Sequence, residues 1–394
     1  MSRTEASLHE RARAVAVAGA LLGIAAALLP IGLVLRQTRI DRGAGVSLVD
    51  ALGAWGWAIV ACWLLVVIVA RSPLPLPARG VAASLLSGLA PVLALWQAGA
   101  FAAAYGTTAG DLSRVSLGPG FWLTAAAAYV AVFAATAWLE PGLLRAALSY
   151  GPFAGVGALV ATDTLSGLGI LKEYANNADA FGKQFALHLG YVGASVAVGL
   201  ALGLALGLLA ARRPASEPAV FGALNVLQVL PTLAFIGLLY PVLTRLSERA
   251  PVLASLGVRG VGWAPVVIVL AAYAVYPIAR NTHAALTSLE PAVIDAARGI
   301  GMAPVQVLAR VELPLATPVI LAGLRVALVQ TTAGAIIAGL VGGGGLGTFV
   351  FLGASETASD LMLLGVVPIV ALALTFDRGL SGIETALTRW KEPA

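Results

Sequence analysis

Long apolar runs separated by short polar or basic segments organise the whole chain. A membrane-crossing helix needs about 20 predominantly apolar residues. Ten windows approach that: residues 14–35, 51–70, 81–101, 121–139 and 146–161 in the N-terminal half, then 189–210, 219–242, 261–279, 317–341 and 361–376. The pattern predicts an all-α, polytopic transmembrane helical bundle of ten spans. Residues 166–188 break it, because Lys172, Glu173, Asn176, Asn177, Asp179 and Lys183 make that stretch too polar to span. Leu168, Leu171, Tyr174, Phe181 and Phe185 lie between them, as in an interfacial helix. It reads as an external linker, residues 166–187, joining an N-terminal set of spans (1–165) to a C-terminal five-span set.

Composition agrees. The 394 residues are 59% hydrophobic and 11% charged, whereas soluble domains are about 25% charged. Forty-five glycines suit membrane helices whose backbones approach closely. The net charge of +5 comes from basic residues scattered singly between apolar runs, not from a stripe of the kind phosphate binding needs. No nucleic-acid partner is expected, and a lipid bilayer is. With the N-terminus placed in the cytoplasm and ten spans alternating, fourteen Lys/Arg fall inside, nine outside, and Arg325 within a span. That bias places both termini in the cytoplasm of a bacterial inner membrane. The first window follows Arg3, Arg11 and Arg13 and exceeds a signal-peptide apolar core, so it reads as a retained span. The lone Cys62 excludes an internal disulfide and reads as a free core thiol.

The loop after the eighth window, Arg280 to Pro314, carries more information. Pro291 suits a helix's first turn, Ala292 to Ile300 continue it, and Gly301 ends it. Pro304 opens a second short helix that Pro314 is expected to stop. Val293, Ala297 and Ile300 share one face at helical spacing, a face that needs something to pack on.

Asp295-Ala296-Ala297, three residues, Gly301, nine residues, then Val311-Glu312-Leu313-Pro314 resembles the EAA loop of ABC-importer permeases. Asp295 replaces Glu and Val311 replaces Ile, with the spacing kept. The resemblance implies a coupling helix seated in a groove of an ATPase subunit, with Ala296, Ala297 and Gly301 small to allow close docking. Three further segments are similar to osmoprotectant (glycine betaine/choline) permeases. They are Leu227-Gln228 with Pro231-Thr232, Tyr273 to Thr282 through Tyr276-Pro277, and Ala322 to Arg325 with Leu340 to Gly347. This resemblance covers residues 184–376, an ABC type I importer core, and leaves 377–394 as a cytoplasmic tail. It implies ATP on a partner ATP-binding subunit, no cofactor on this chain, an external substrate-binding protein, and a second permease copy or homologous permease. The implied cargo is glycine betaine, choline or a related compatible solute.

Gln228 with Pro231 and Thr232, Tyr276, and Gln330 with Thr331 and Thr332 fall inside or beside predicted spans. Unpaired polar atoms in lipid are costly, so these groups face the bundle. They serve either interhelical hydrogen bonds or the lining of a translocation path. Arg325 either snorkels to the cytoplasmic interface or pairs with another helix. Gly342, Gly344 and Gly347 formally match a dinucleotide fingerprint, but no βαβ pattern surrounds them, so they read as a tight outer turn. His9, His188 and His283 form no cluster, so neither a metal site nor a catalytic triad is expected. A proton-coupled carrier usually holds Asp, Glu or His inside its spans, and the windows lack them at mid-span. An ion-coupled secondary transporter using broken-helix carbonyls stays open. An integral-membrane enzyme would need clustered catalytic groups, which are missing.

Overall fold

The computed structural model describes residues 3–388 apart from Ile40 and Asp111. Among the described residues, nine helices are long and apolar enough to cross a membrane, and one bent pair makes a tenth if it counts as one span. The chain forms two compact units. One is Met1–Asn176 together with Glu356–Asp360, and the other is Asn177–Ser355 with Leu361–Ala394.

The N-terminal unit runs α1 (Arg3–Leu28), β1 (Leu33–Arg36), β2 (Ala44–Val46), α2 (Leu48–Leu52), α3 (Ala54–Arg71), α4 (Leu76–Ala109), β3 (Arg114–Leu117), α5 (Pro119–Thr136), α6 (Leu143–Ala161) and α7 (Gly169–Asn176). Small residues set its packing. A side chain at Gly23 would come within 2.3 Å of the Trp63 ring, so α1 and α3 meet almost backbone to ring. Trp63 is fully buried in a core that α1, α3, α4 and α5 build together with the strands. Gly88 of α4 receives Pro152 of α6, whose Cγ would lie 2.5 Å from an added Cβ. Ser47 caps α2 by accepting the Asp50 N–H at 2.9 Å.

The three-stranded antiparallel sheet, ordered β2-β1-β3, was not anticipated. Its strands are three or four residues long; β2 and β3 lie in the polar gaps between apolar windows, and β1 takes the last residues of the first window. β1 and β3 are also far apart in sequence, with Arg36 opposite Arg114. No local pattern announces such a pairing.

The second unit runs α8 (Ala178–Arg212), α9 (Glu217–Val229), α10 (Thr232–Arg249), α11 (Pro251–Ser255), α12 (Trp263–Thr287), α13 (Pro291–Gly299), α14 (Pro304–Val307), α15 (Leu313–Gly334), α16 (Gly347–Ser355) and α17 (Ser359–Thr388). A glycine stripe on α8 fixes its contact with α12. Side chains at Gly199, Gly203 and Gly207 would strike Ala274, Ile278 and the Ala279 carbonyl at 2.6, 2.8 and 2.7 Å. Gly323 brings α15 equally close, 2.7 Å from the Pro277 carbonyl by the same measure. This is small-residue packing of the kind membranes favour.

Three expectations need correction. The window 219–242 is not one span, because α9 and α10 meet at 102° across Leu230–Pro231. Pro231 has no N–H to give, and Leu230 before it takes an extended conformation (φ −63, ψ 125). Pro314 does not stop a helix but lies in the first turn of α15. One π-helical turn, Leu308–Glu312, precedes it, and the Leu313 N–H reaches back to the Leu308 carbonyl. The wider turn absorbs the proline that an α-helical ladder would reject. Residues 178–187, expected as part of a linker, are the opening turns of α8. The window 361–376 is likewise the middle of α17, a 30-residue helix. Arg389 and Lys391, counted above among the inside charges, lie outside the described residues.

Candidate functional site

The α9–α10 break opens a cavity of about 330 Å³ lined by Gln228, Val229, Leu230, Pro231, Thr232, Leu270, Tyr273, Gln330, Thr331 and Gly334. Five of the six residues expected along a path, Gln228, Pro231, Thr232, Gln330 and Thr331, stand around this one space. Tyr276 does not. It packs edge-on against Phe221 at 6.5 Å, one helical turn from the cavity. Tyr273 takes its place. Among the described residues, no carboxylate, lysine, arginine or histidine lines the cavity; its polar groups are amides, hydroxyls and backbone.

The break is braced reciprocally. Pro277 lies four residues after Tyr273, so the Tyr273 carbonyl has no N–H to accept within α12. The Gln228 Nε2 donates to that carbonyl at 2.8 Å. The Leu230 carbonyl, freed where α9 ends, accepts the Tyr273 hydroxyl. Two carbonyls left without a helical N–H at the break are thus each given a side-chain donor. The sequence held this signal, because a proline four residues after an aromatic names the orphan carbonyl in advance. One turn on, the Asn281 Nδ2 also donates to the Pro277 carbonyl, at 2.8 Å.

The glycine-rich turn lies where α15 gives way to a 3₁₀ turn, Ala335–Gly339. Gly342, Gly344 and Gly345 have positive φ, and Gly347 would place a side chain 1.8 Å from the Ile336 carbonyl. No other residue fits there. Three side chains of α8 hold the turn and the helix end beside it. The Gln184 Oε1 accepts the Gly345 N–H at 2.6 Å, the Tyr191 hydroxyl donates to the Gly343 carbonyl, and fully buried His188 donates from Nε2 to the Thr332 carbonyl at 3.1 Å. Thr332 is buried and lends its own hydroxyl to the Leu328 carbonyl, a structural use.

The loop after α12 has the helix, glycine turn, helix form read from sequence. Gly301 (φ +85) ends α13, with the Met302 N–H bonded to the Ala297 carbonyl at 3.3 Å in the manner of a Schellman cap. Ala297 is buried, whereas Ile300 is 76% exposed and Val293 and Val305 are exposed too. So the face Val293–Ala297–Ile300 is only partly covered by its own chain: the methyl is seated, the larger side chains are bare. Asp295 is exposed and pairs with Arg298 at 3.6 Å; Ala296 is exposed. Val311 is half-buried, and Leu313 and Pro314 are exposed at the start of α15. Glu312 between them is buried and takes an ion pair from Arg212 at the end of α8. Arg325 pairs with Asp377 at 3.5 Å and Glu384 at 3.4 Å on α17, which decides between the two roles considered for it.

The family of binding-protein-dependent transport system inner membrane components matches residues 203–388, and the N-terminal domain of the ABC transporter permease YehY matches residues 10–171. The choline transport system permease protein OpuBB of Bacillus subtilis is 34% identical over 43% of this chain and 70% of its own length. The carnitine transport permease protein OpuCB of Listeria monocytogenes is 36% identical over 45% of this chain and 74% of its own. The osmoprotectant import permease protein OsmW of Salmonella typhimurium is 36% identical over 43% and 74%.

Proposed function

The chain belongs to the binding-protein-dependent transport system inner membrane component family and is the permease subunit of an ABC importer; from that premise we propose that it carries a compatible solute of the choline, carnitine or glycine betaine kind through the cavity at the α9–α10 break. The observation that carries this reading is the cavity's neutral polar lining. A permanently cationic or zwitterionic solute meets amides, hydroxyls and the Tyr273 ring there, and no carboxylate that would trap it. Transit needs binding firm enough to enter and weak enough to leave. An external binding protein supplies the tight, selective capture.

The partner ATPase seats α13. Exposed Val293 and Ile300 at α13, with Val305 of α14, give an apolar surface, and buried Ala297 ties that surface to the chain's own body. The Arg212–Glu312 pair joins the far end of the loop to α8. A push on α13 therefore passes to α8 and α15 as rigid elements, which rock against a second permease copy between outward-open and inward-open forms. In this reading the protein is multi-pass in a bacterial inner membrane, both termini are cytoplasmic, and ATP is bound and hydrolysed on the partner chain.

A broken helix beside a cavity is also how ion-coupled carriers expose carbonyls to sodium. Here the carbonyls of Leu230 and Tyr273 are already occupied by side chains, which favours the importer. The test is uptake of labelled choline, carnitine and glycine betaine by proteoliposomes holding the purified complex. Uptake that requires ATP and the binding protein, and ignores a sodium gradient, is the expected result. Sodium-driven uptake by this chain alone would overturn it.

A further inference from the structure

The N-terminal unit contains five residues that do not belong to it by sequence: Glu356–Asp360, the turn between α16 and α17. The reason is electrostatic. Arg36 and Arg114 are direct cross-strand partners in the β1–β3 ladder, and like charges in that position repel. Arg39 follows β1 by three residues. Arg36 is 8% exposed, and the Arg114 side chain 12%. Of the carboxylates paired with this trio, the unit's own N-terminal sequence supplies one. Glu173 of α7 is 1% exposed and accepts Arg39 Nε and Arg114 Nη1, both at 2.8 Å. The turn supplies the second, Glu356, and also a buried Asp360 that bonds to β3 through Ser116. Glu356 pairs with Arg39 at 3.1 Å. Asp360, 3% exposed, accepts the Ser116 hydroxyl of β3 at 2.6 Å, and Ser359 accepts Arg36 Nη2 at 2.9 Å.

The sheet is therefore incomplete without this turn. With Glu356–Asp360 removed, three arginines would face a single carboxylate in a largely buried place, where an uncompensated charge is strongly unfavourable. The fit is also steric. A side chain at Gly169 would lie 2.2 Å from Asp360 Oδ2. Thr357 is held at φ +55, a conformation a β-branched residue adopts only when its surroundings force it. Ala358 and Leu361 on either side are buried.

We propose that the N-terminal unit is an ionic clamp on the α16–α17 turn, and that this grip is required for transport. Arg36, Arg39, Arg114, Ser116 and Glu173 are positioning residues. They fix Glu356–Asp360, which end in the first residues of α17. This segment stays bound throughout the cycle. The clamp is a claim about this unit's own contacts. Its consequence for transport rests on the importer reading above.

The test uses the full chain with Cys62→Ala, Arg39→Cys and Glu356→Cys, two positions 39% and 37% exposed and so open to reagent. A flexible bifunctional thiol reagent should bridge them within one chain, seen as a joined peptide pair by mass spectrometry. The unbridged variant, which lacks the Arg39 ion pairs, should import labelled choline less well than the Cys62→Ala parent, and bridging should restore import to within about twofold of that parent. In parallel, Ser116→Ala with Asp360→Asn should lower import tenfold or more while co-purification of the ATPase is unchanged. Absence of the bridge, arrest of import by the bridge, or wild-type import by the second variant would each overturn the proposal. If the wild type imports nothing with ATP, the importer reading fails, and the bridge still tests the clamp.

Discussion

The two units solve the problem of an apolar chain in different ways. In the N-terminal unit one continuous core gathers α1, α3, α4, α5 and the strands around Trp63, with Ala and Gly letting the backbones close in. In the second unit the buried apolar residues fall into several small clusters strung along α8, α12 and α15. Between them lie a bent helix, a π turn, a 3₁₀ turn and a four-glycine loop. α10 buries only Ile236 and Leu243, while Leu233, Leu238, Tyr240 and Val242 stay exposed. A single core resists deformation, because close-packed interiors transmit strain rather than absorb it. Small clusters joined at proline and glycine breaks can exchange one arrangement for another. The first unit is built to hold, and the second to move. Even so, α6 buries almost nothing in the described structure, so the first unit has its own open face.

Truncating each core gives the largest effect and tests this contrast directly. Trp63→Ala removes a fully buried indole and should cost about 3–5 kcal/mol, because Gly23 and the helices around it cannot collapse into the space. Phe221→Ala, in a small cluster of the second unit, removes a ring at 7% exposure. The smaller cluster can relax, so its cost should fall clearly below that of Trp63. Thermal unfolding of the detergent-solubilised complex measures both. Equal losses would break the distinction between a rigid and a yielding unit.

Ala297→Glu comes next, and it should separate function from folding. A carboxylate at a methyl-sized buried position on α13 spoils its seat, yet α13 is short and peripheral. ATP-driven uptake should fall at least a hundredfold, about 2.7 kcal/mol of lost coupling. Membrane insertion and the unfolding midpoint should stay close to wild type. Normal uptake would remove the coupling role from this loop.

Much of this was legible in the chain because it is local. The apolar windows located the long helices, and the spacing from Pro291 through Ala297 to Gly301 gave the helix and its stop, including the positive φ. The candidate path residues were picked out as polar groups in apolar surroundings, and five of them line one cavity. What escaped depends on distance or on one bond. The bend at Pro231 was hidden because 219–242 is apolar enough on average to read as one span, and hydropathy does not register a missing N–H. Pro314 was misread for the opposite reason, since a π turn accommodates it. Tyr273 and Tyr276 look alike as sequence, and only the position of Pro277 distinguishes them. The clamp was invisible, since Asp360 meets Ser116 across 244 residues.

The brace at the break offers a finer probe of the yielding unit. Tyr273→Phe strips the donor from the Leu230 carbonyl, and Gln228→Leu strips the donor from the Tyr273 carbonyl. Leaving a buried carbonyl unsatisfied costs about 1–3 kcal/mol. The two bonds hold the same pair of helices, so the double variant should cost less than the sum of the singles. Uptake kinetics should show a raised KM before any loss of maximal rate, because the cavity's shape depends on this bend. Strictly additive losses would mean the bonds act independently and the break is not a unit.

The smallest effect should come from Arg325, the ionisable side chain that drew attention earliest in the sequence. Its partners Asp377 and Glu384 lie at 3.5 and 3.4 Å, and the three side chains are 31, 41 and 30% exposed. Ion pairs with this much access to solvent contribute at most about 1 kcal/mol, and salt screens them. Arg325→Gln should therefore shift the unfolding midpoint slightly, and raising the salt concentration should erase the difference. Asp377→Asn should do no more. A loss of several degrees that persists at high salt would show that α15 and α17 are locked together by charge. The second unit would then have a rigid seam of its own, and the contrast with the N-terminal unit would narrow to the region around the α9–α10 bend.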